Sequence, residues 1–201
     1  MKVTKAQVQA NRAHIVETAS TLFRQRGYDG VGIADLMAVA GFTHGGFYKH
    51  FGSKADLMAE AATCGFAQTA AKAEGVDAIE FVKYYLSREH RNARGEGCTM
   101  AALCGDAARQ PESIKTAFAA GAESLLANPA NQFDTPGETD RGGDARARRI
   151  EVIAQAIGAI VLSRACPDDS PLADEILDVC RAALLSKLSS TTVGSSGSQI
   201  N

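Results

Sequence analysis

The stretch GIADLMAVAGFTHGGFYKHFGSKADL, residues 32–57, decides how this chain is read. Ile33, Leu36, Met37 and Ala40 recur at spacings of three and four, the signature of one face of a short helix. Gly41 can take the left-handed conformation that ends that helix. A further short helix is expected over about residues 44–50, so the two make a helix-turn-helix around Gly41-Phe42-Thr43. In that motif the first helix crosses the DNA backbone and the second enters the major groove. Phe42 is expected to bury against both helices and fix their angle. Thr43 is expected to cap the second, leaving its N–H groups and helix dipole facing outward where a phosphate could sit. Ser53, three residues before Asp56, reads as the N-cap of a long helix reaching about Ala73.

Outward from this stretch the periodicity is helical on both sides. Ahead of it, about Gln7 to Arg26 places Ile15, Ala19, Leu22 and Phe23 on one face and stops at Gly27. Behind it, helices are expected over Ala78–Arg91, Cys98–Arg109 and from Pro111 to about Ala127. Residues 128–143, rich in Pro, Gly and acids, read as a long mobile loop. Two strong helices close the fold, Ala145–Arg164 with Ile150, Ile153, Ile157 and Ile160, and a last one opened by Ser170-Pro171. From Leu188 the chain is rich in Ser, Thr and Gly and reads as a disordered tail. The fold class is therefore all-α, with three expected parts: a helix-turn-helix domain over 1–52, a helical regulatory and dimerisation domain over 53–187, and a tail over 188–201.

Composition sets limits on function. The 201 residues are 45% hydrophobic and 22% charged, an ordinary globular balance. A net charge of −2, taken alone, argues against nucleic acid. Its distribution does not: residues 1–60 hold seven Lys/Arg against five acids, whereas the other 141 hold fourteen against eighteen. A mildly basic N-terminal module is thus joined to an acidic body, which permits DNA binding without demonstrating it. No apolar run approaches the roughly 18 residues of a membrane span, and the first twenty residues lack a signal-peptide core, so no membrane partner and a cytoplasmic location are expected. Cys64, Cys98, Cys104, Cys166 and Cys180 form an odd set without a C-x-x-C pair, which suits reduced thiols and neither a metal site nor a disulfide framework. No cofactor is expected.

The residues of the central stretch resemble the TetR/AcrR family of transcriptional regulators. Its A-G-[VLF]-[ST] turn is matched by Ala40-Gly41-Phe42-Thr43, its aromatic pair by Phe47-Tyr48-Lys49-His50-Phe51, and its trailing S-K-x-x-L by Ser53-Lys54-Ala55-Asp56-Leu57. Gly27-Tyr28-Asp29-Gly30 resembles the family's turn after its first helix. Gly32 stands where the family usually has a Ser or Thr cap, which implies a slightly weaker helix start. The resemblance covers roughly residues 8–60; beyond them only the helical plan corresponds.

That resemblance implies a double-stranded DNA operator as partner and a repressor as the leading mode. The candidate DNA-binding residues are Thr43, His44, Gly45, Gly46, Tyr48, Lys49, His50 and Lys54. The first four lie where side chains reach base edges; Tyr48, His50 and Lys54 resemble the family's phosphate contacts, which position without specifying sequence. Lys49 reads equally as a solvated lysine. Gly45 and Gly46 each cost about 1 kcal/mol relative to alanine in a helix, so they either loosen the turn or allow close backbone approach to DNA. Phe47 and Phe51 read as core. Lys2, Lys5 and Arg12 are within the basic N-terminus that could reach flanking phosphates.

A reader this small needs two copies, so a homodimer is expected. Its face is assigned to Ile150, Ile153, Ala154, Ile157, Gly158, Val161, Ile176, Val179, Cys180 and Ala183, with Ala154 and Gly158 allowing close backbone approach. The family further implies a small-molecule effector that shifts the spacing of the two readers; Phe66, Phe81, Tyr85, Met100, Leu103 and Phe118 are candidate lining residues. An alternative is an electrophile- or redox-sensing repressor acting through Cys98, which follows the Arg94-Gly95-Glu96-Gly97 segment at a helix start. Cys98 and Cys104 on one helix are separated by a rise of about 9 Å, beyond the ~7 Å reach of a disulfide. A third reading is a helical adaptor that binds no DNA. No catalytic residues are assigned, since the nucleophile-elbow, phosphate-loop and H-E-x-x-H patterns are missing from the sequence.

Overall fold

The computed structural model describes residues 4–127 and 143–193. Every regular element among them is helical. In chain order these are α1 (Lys5–Arg26), α2 (Ile33–Val39), a 3-10 helix (His44–Lys49), α3 (Lys54–Ala73), α4 (Ala78–Tyr85), α5 (Arg88–Asn92), a 3-10 turn (Arg94–Glu96), α6 (Thr99–Ala107), α7 (Glu112–Ala127), α8 (Gly143–Ala165) and α9 (Pro171–Val193). The chain divides into two compact units, residues 1–72 with 94–123, and residues 73–93 with 124–201.

The first unit is built on the inward face read from α1: Ile15, Ala19, Leu22 and Phe23 are all buried. They join Leu36 and Met37 of α2, Phe47 of the 3-10 helix and Phe51 just after it, Leu57, Met58 and Phe66 of α3, and Ile114 and Phe118 of α7 in one core cluster. Local signals set the element ends. Thr4 caps α1 by accepting from Gln7 N–H at 3.2 Å, which starts the helix two residues earlier than expected. Ser53 caps α3 through Asp56 N–H at 3.1 Å. Gly32 occupies the N-cap of α2 without a side-chain bond, as its identity requires.

Arg24 is buried at the end of α1, and its hydrogen bonds draw three elements together. It donates to Gly95 O at 2.7 Å, Ser20 Oγ at 2.6 Å and Gln68 Oε1 at 3.2 Å. Burial pulls this guanidinium below its ordinary range, since its direct partners are neutral oxygens.

In the second unit α8 and α9 pack together through Ala159, Ile160, Ala173, Leu177 and Leu184, and Ser163 Oγ donates to Ala173 O at 2.8 Å. Arg91 of α5 is 1% exposed and donates to Ser163 O and Oγ, Asn92 Oδ1, Asp168 Oδ1 and Cys166 O, which ties α5 to the end of α8. The single helix expected over 78–91 is instead broken. Leu86 leaves helical geometry at φ −96° and ψ 42°, and Ser87 restarts the chain by accepting from His90 N–H at 3.1 Å. A capping serine inside an apolar periodicity competes with helix continuation.

Two further expectations change. The tail placed from Leu188 begins inside α9, which runs to Val193. Ser189 lies in it by donating back to Leu185 O at 3.0 Å, so a serine-rich composition there does not end the helix. The loop expected over 128–143 falls outside the described residues except for Gly143, which opens α8. Lys2 and residues 194–201 also lie outside them.

Candidate nucleic-acid interface

The turn between α2 and the reader follows from two residues. Gly41 sits at φ +80°, and the N–H of Phe42 reaches back to Met37 O at 2.8 Å, closing the end of α2. Phe42 is half-buried, with its ring 6.3 Å from His14 and 6.5 Å from His50. Thr43 then runs extended at φ −82° and ψ 150° and occupies the N-cap position, but its side chain makes no cap hydrogen bond. The expected side-chain cap is therefore replaced by backbone bonding alone.

The reader is a 3-10 helix rather than a turn of α-helix, held by Gly46 N–H to Thr43 O and His50 N–H to Phe47 O, both at 2.9 Å. Six residues containing two adjacent glycines offer little to drive α-helical winding. Tertiary packing holds the segment instead. Phe47 is fully buried and Phe51 is 3% exposed, with ring centroids 5.4 Å apart, so both are core as read.

On this support Thr43, His44, Gly45, Tyr48 and Lys49 are exposed together. Tyr48 is 63% exposed and stands edge-on to Phe47 at 5.1 Å and to His44 at 6.2 Å. Gly46 is half-buried, and a Cβ there would make ordinary contact with Met37 and Thr43. A Cβ on Gly45 would meet nothing within 4 Å. Neither glycine has positive φ, so the fold itself has room for alanine at both sites.

His50 and Lys54 are half-buried at the edge of the patch. The His50 Nδ1 atom is buried without a hydrogen-bond partner. Lys54 donates to Tyr28 O at 2.6 Å and lies 5.9 Å from the Phe23 ring. The N–H of Tyr28 is also engaged, donating to Asp106 Oδ2 at 3.0 Å. Burial, reinforced by Asp106, pushes the Tyr28 hydroxyl far above the ordinary phenol range.

Charge is used sparingly around the patch. Arg12 is ion-paired with Glu60, Arg24 is buried and Lys54 bonds the Tyr28 carbonyl. Lys5, Arg26 and Lys49 remain exposed among the described residues of the module. Sequence reasoning misses the Arg12–Glu60 pair, because 48 positions separate its members and no local pattern links them.

The effector candidates are divided between the two units. Phe66, Leu103 and Phe118 are buried in the first unit, with Phe66 and Phe118 edge-to-face at 5.3 Å, and Met100 packs half-buried against that core. Phe81 and Tyr85 belong to the second unit, stacked at 5.5 Å. An open groove of about 570 Å³ in the first unit is lined by Val16, Ala59, Thr63, Cys64, Ala117 and neighbours, none of them on that candidate list. Cys98 is 4% exposed at the N-cap of α6. Burial pushes the half-buried Cys64 and Cys104 thiols up. The described residues hold no cluster of three side chains suited to a metal ion. None of their helices is long and apolar enough to cross a membrane.

Residues 15–61 match the family model for bacterial regulatory proteins of the tetR family. This segment is a TetR-family helix-turn-helix. Over 57 residues it is 39% identical to the HTH-type transcriptional regulator AcrR of Shigella flexneri, covering 28% of this chain and 26% of that protein. Over 55 residues it is 42% identical to the HTH-type transcriptional regulator TtgR of Pseudomonas putida, covering 27% and 26%. The sequence match thus spans about a quarter of these TetR-family relatives and centres on the helix-turn-helix. The fold match is broader: the reduced form of Escherichia coli NemR superposes with a TM-score of 0.70 at 19% identity, over 88% of this chain and 96% of that one. The shared fold therefore extends well beyond the region of sequence similarity.

Proposed function

We propose that this chain is a homodimeric, sequence-specific DNA-binding repressor, released from its operator by a small-molecule effector. The carrying observation is the exposed patch of Thr43, His44, Gly45, Tyr48 and Lys49 on a buried Phe47–Phe51 platform, inside the family-matched segment. A rigid apolar floor with solvent-facing donors fits groove and phosphate contact.

The homodimer is supported by α8 and α9. None of the ten residues assigned to the dimer face is buried: Ile150, Val161 and Val179 are 47%, 40% and 62% exposed, and Ala154 and Ala183 are also exposed. Ile153, Ile157, Gly158, Ile176 and Cys180 are half-buried. A Cβ on Gly158 would meet nothing within 4 Å, which leaves room for a partner backbone. Ile160, expected on the same stripe, is fully buried and belongs to the inner face. Leu162 and Leu172, 60% and 52% exposed, enlarge the apolar surface.

Effector binding rests on the family resemblance, with Phe66, Phe81, Tyr85, Met100, Leu103 and Phe118 as its candidate lining residues. Thiol sensing through Cys98 runs against the burial of that residue, because an electrophile reaches it only after the segment around it opens. The deciding experiment is selection of bound sequences from random duplexes with the purified protein. A palindrome with half-sites about one helical turn or slightly more apart supports the dimeric reader; no preferred sequence and no salt-sensitive retention favour the adaptor.

A further inference from the structure

Resting on the DNA-binding reading, we propose that Arg12 is a positioning residue for the reader, locked in that role by Glu60, and not a contact to DNA phosphate. Its guanidinium meets three residues at once. The two terminal nitrogens form a two-pronged pair with the Glu60 carboxylate on α3. Nε donates to the carbonyl of His50 at 3.3 Å. The flat face lies over the Phe51 ring with its central carbon 4.6 Å from the centroid. Hydrogen bonding to Glu60 raises the Arg12 pKa, in keeping with a guanidinium held against a carboxylate.

His50 is the residue that closes the 3-10 reader, and its carbonyl is one of the end groups a short helix leaves without a helical partner. A guanidinium placed there satisfies the acceptor and complements the negative end of the segment. The opposite end has no such device, since Thr43 makes no cap bond. Among the described residues, the bond from Arg12 is the side-chain hydrogen bond that ties residues 43–51 to the rest of the unit. Geometry also limits what else Arg12 can do. Three of its five N–H donors are engaged and the Glu60 carboxylate offsets its charge, so the pair presents little net charge to a phosphate. Lysine cannot reproduce the arrangement, because one ammonium lacks the planar fork that serves the carboxylate and the carbonyl together.

The two roles predict opposite effects for one substitution. Glu60→Gln removes an acid near the reader: a phosphate-contacting Arg12 would then be freed and duplex binding would tighten. A positioning Arg12 would lose its anchor and binding would weaken. The experiment compares wild type, Glu60→Gln and Arg12→Lys as full chains, using a duplex selected by the wild-type protein. Affinity is followed across a salt series, and amide hydrogen exchange is measured without DNA. The expected result is at least tenfold weaker binding in both variants with an unchanged salt slope, whereas loss of a phosphate contact lowers that slope by about one. The His50 and Phe51 amides should exchange faster in both variants, with Leu22 and Phe23 amides as the control for an intact α1. Wild-type affinity in Arg12→Lys, tighter binding in Glu60→Gln, or unchanged exchange at His50 and Phe51 would each overturn the proposal. Should wild type select no duplex while those two amides still respond, the positioning role stands and the DNA-binding reading falls.

Discussion

At Gly41 a single backbone angle determines where α2 ends and the reader begins. Its φ of +80° is a conformation that a side chain makes costly, so Gly41→Ala should lose about 1–2 kcal/mol of stability, measurable by denaturant unfolding. Two lysines of the candidate interface also part company at this scale. Lys49 is exposed, so Lys49→Ala should lower the slope of log affinity against log salt by about one while leaving stability alone. Lys54 bonds the Tyr28 carbonyl, so Lys54→Ala should lose about 1–3 kcal/mol of stability by leaving a poorly solvated acceptor unpaired, with the slope unchanged. A slope that falls by one in Lys54→Ala would show that the ammonium also meets phosphate. The motif is legible in sequence because Gly41, Phe47 and Phe51 are dictated by local geometry and apolar spacing. The uses of Lys54 and Arg12 are not, since each partner comes from a distant part of the chain and local patterning carries no record of it.

Among the elements, the 3-10 reader and the α4–α5 break show how capping and packing override periodicity. The apolar spacing of 78–91 is continuous, yet Ser87 supplies a cap and the chain bends there. The bend lets Arg91 enter a cage of acceptors near the end of α8, so the break and the buried cation are parts of one local arrangement. Arg91→Met would strip the Cys166 carbonyl of its guanidinium donor and leave the Ser163 carbonyl with the Cys166 N–H alone, so it should destabilise the second unit by about 1–3 kcal/mol. Thermal unfolding followed by circular dichroism checks this: an unchanged transition would mean that water replaces the guanidinium. The long helices are legible because their inner stripes are unambiguous. Element ends and the persistence of α9 to Val193 depend on serine hydrogen bonds that composition alone assigns to loops.

For the whole molecule, the apolar surface of α8 and α9 makes assembly a testable property. Val161→Asp and Val179→Asp alter residues that are exposed within one chain, so each should leave the helical content intact and shift the species to monomer in sedimentation velocity. Duplex affinity should fall together with the dimer, because one reader contacts only a few base pairs. An unshifted sedimentation coefficient in both variants would move the dimer face elsewhere. Which residues make up the two compact units is not readable from composition and period, because residues 94–123 cluster with the N-terminal helices across a gap in sequence. The internal engagement of Arg12, Arg24 and Lys54 has a consequence for how the protein finds its target. On the proposed DNA-binding reading, so few free cations among the described residues of the module predict weak retention on random chromosomal sequence, since electrostatics supplies nearly all of that binding. Only a small share of the copies would be held on bulk DNA at any moment, and a regulator so lightly stored could be scarce in the cell and still keep its site occupied.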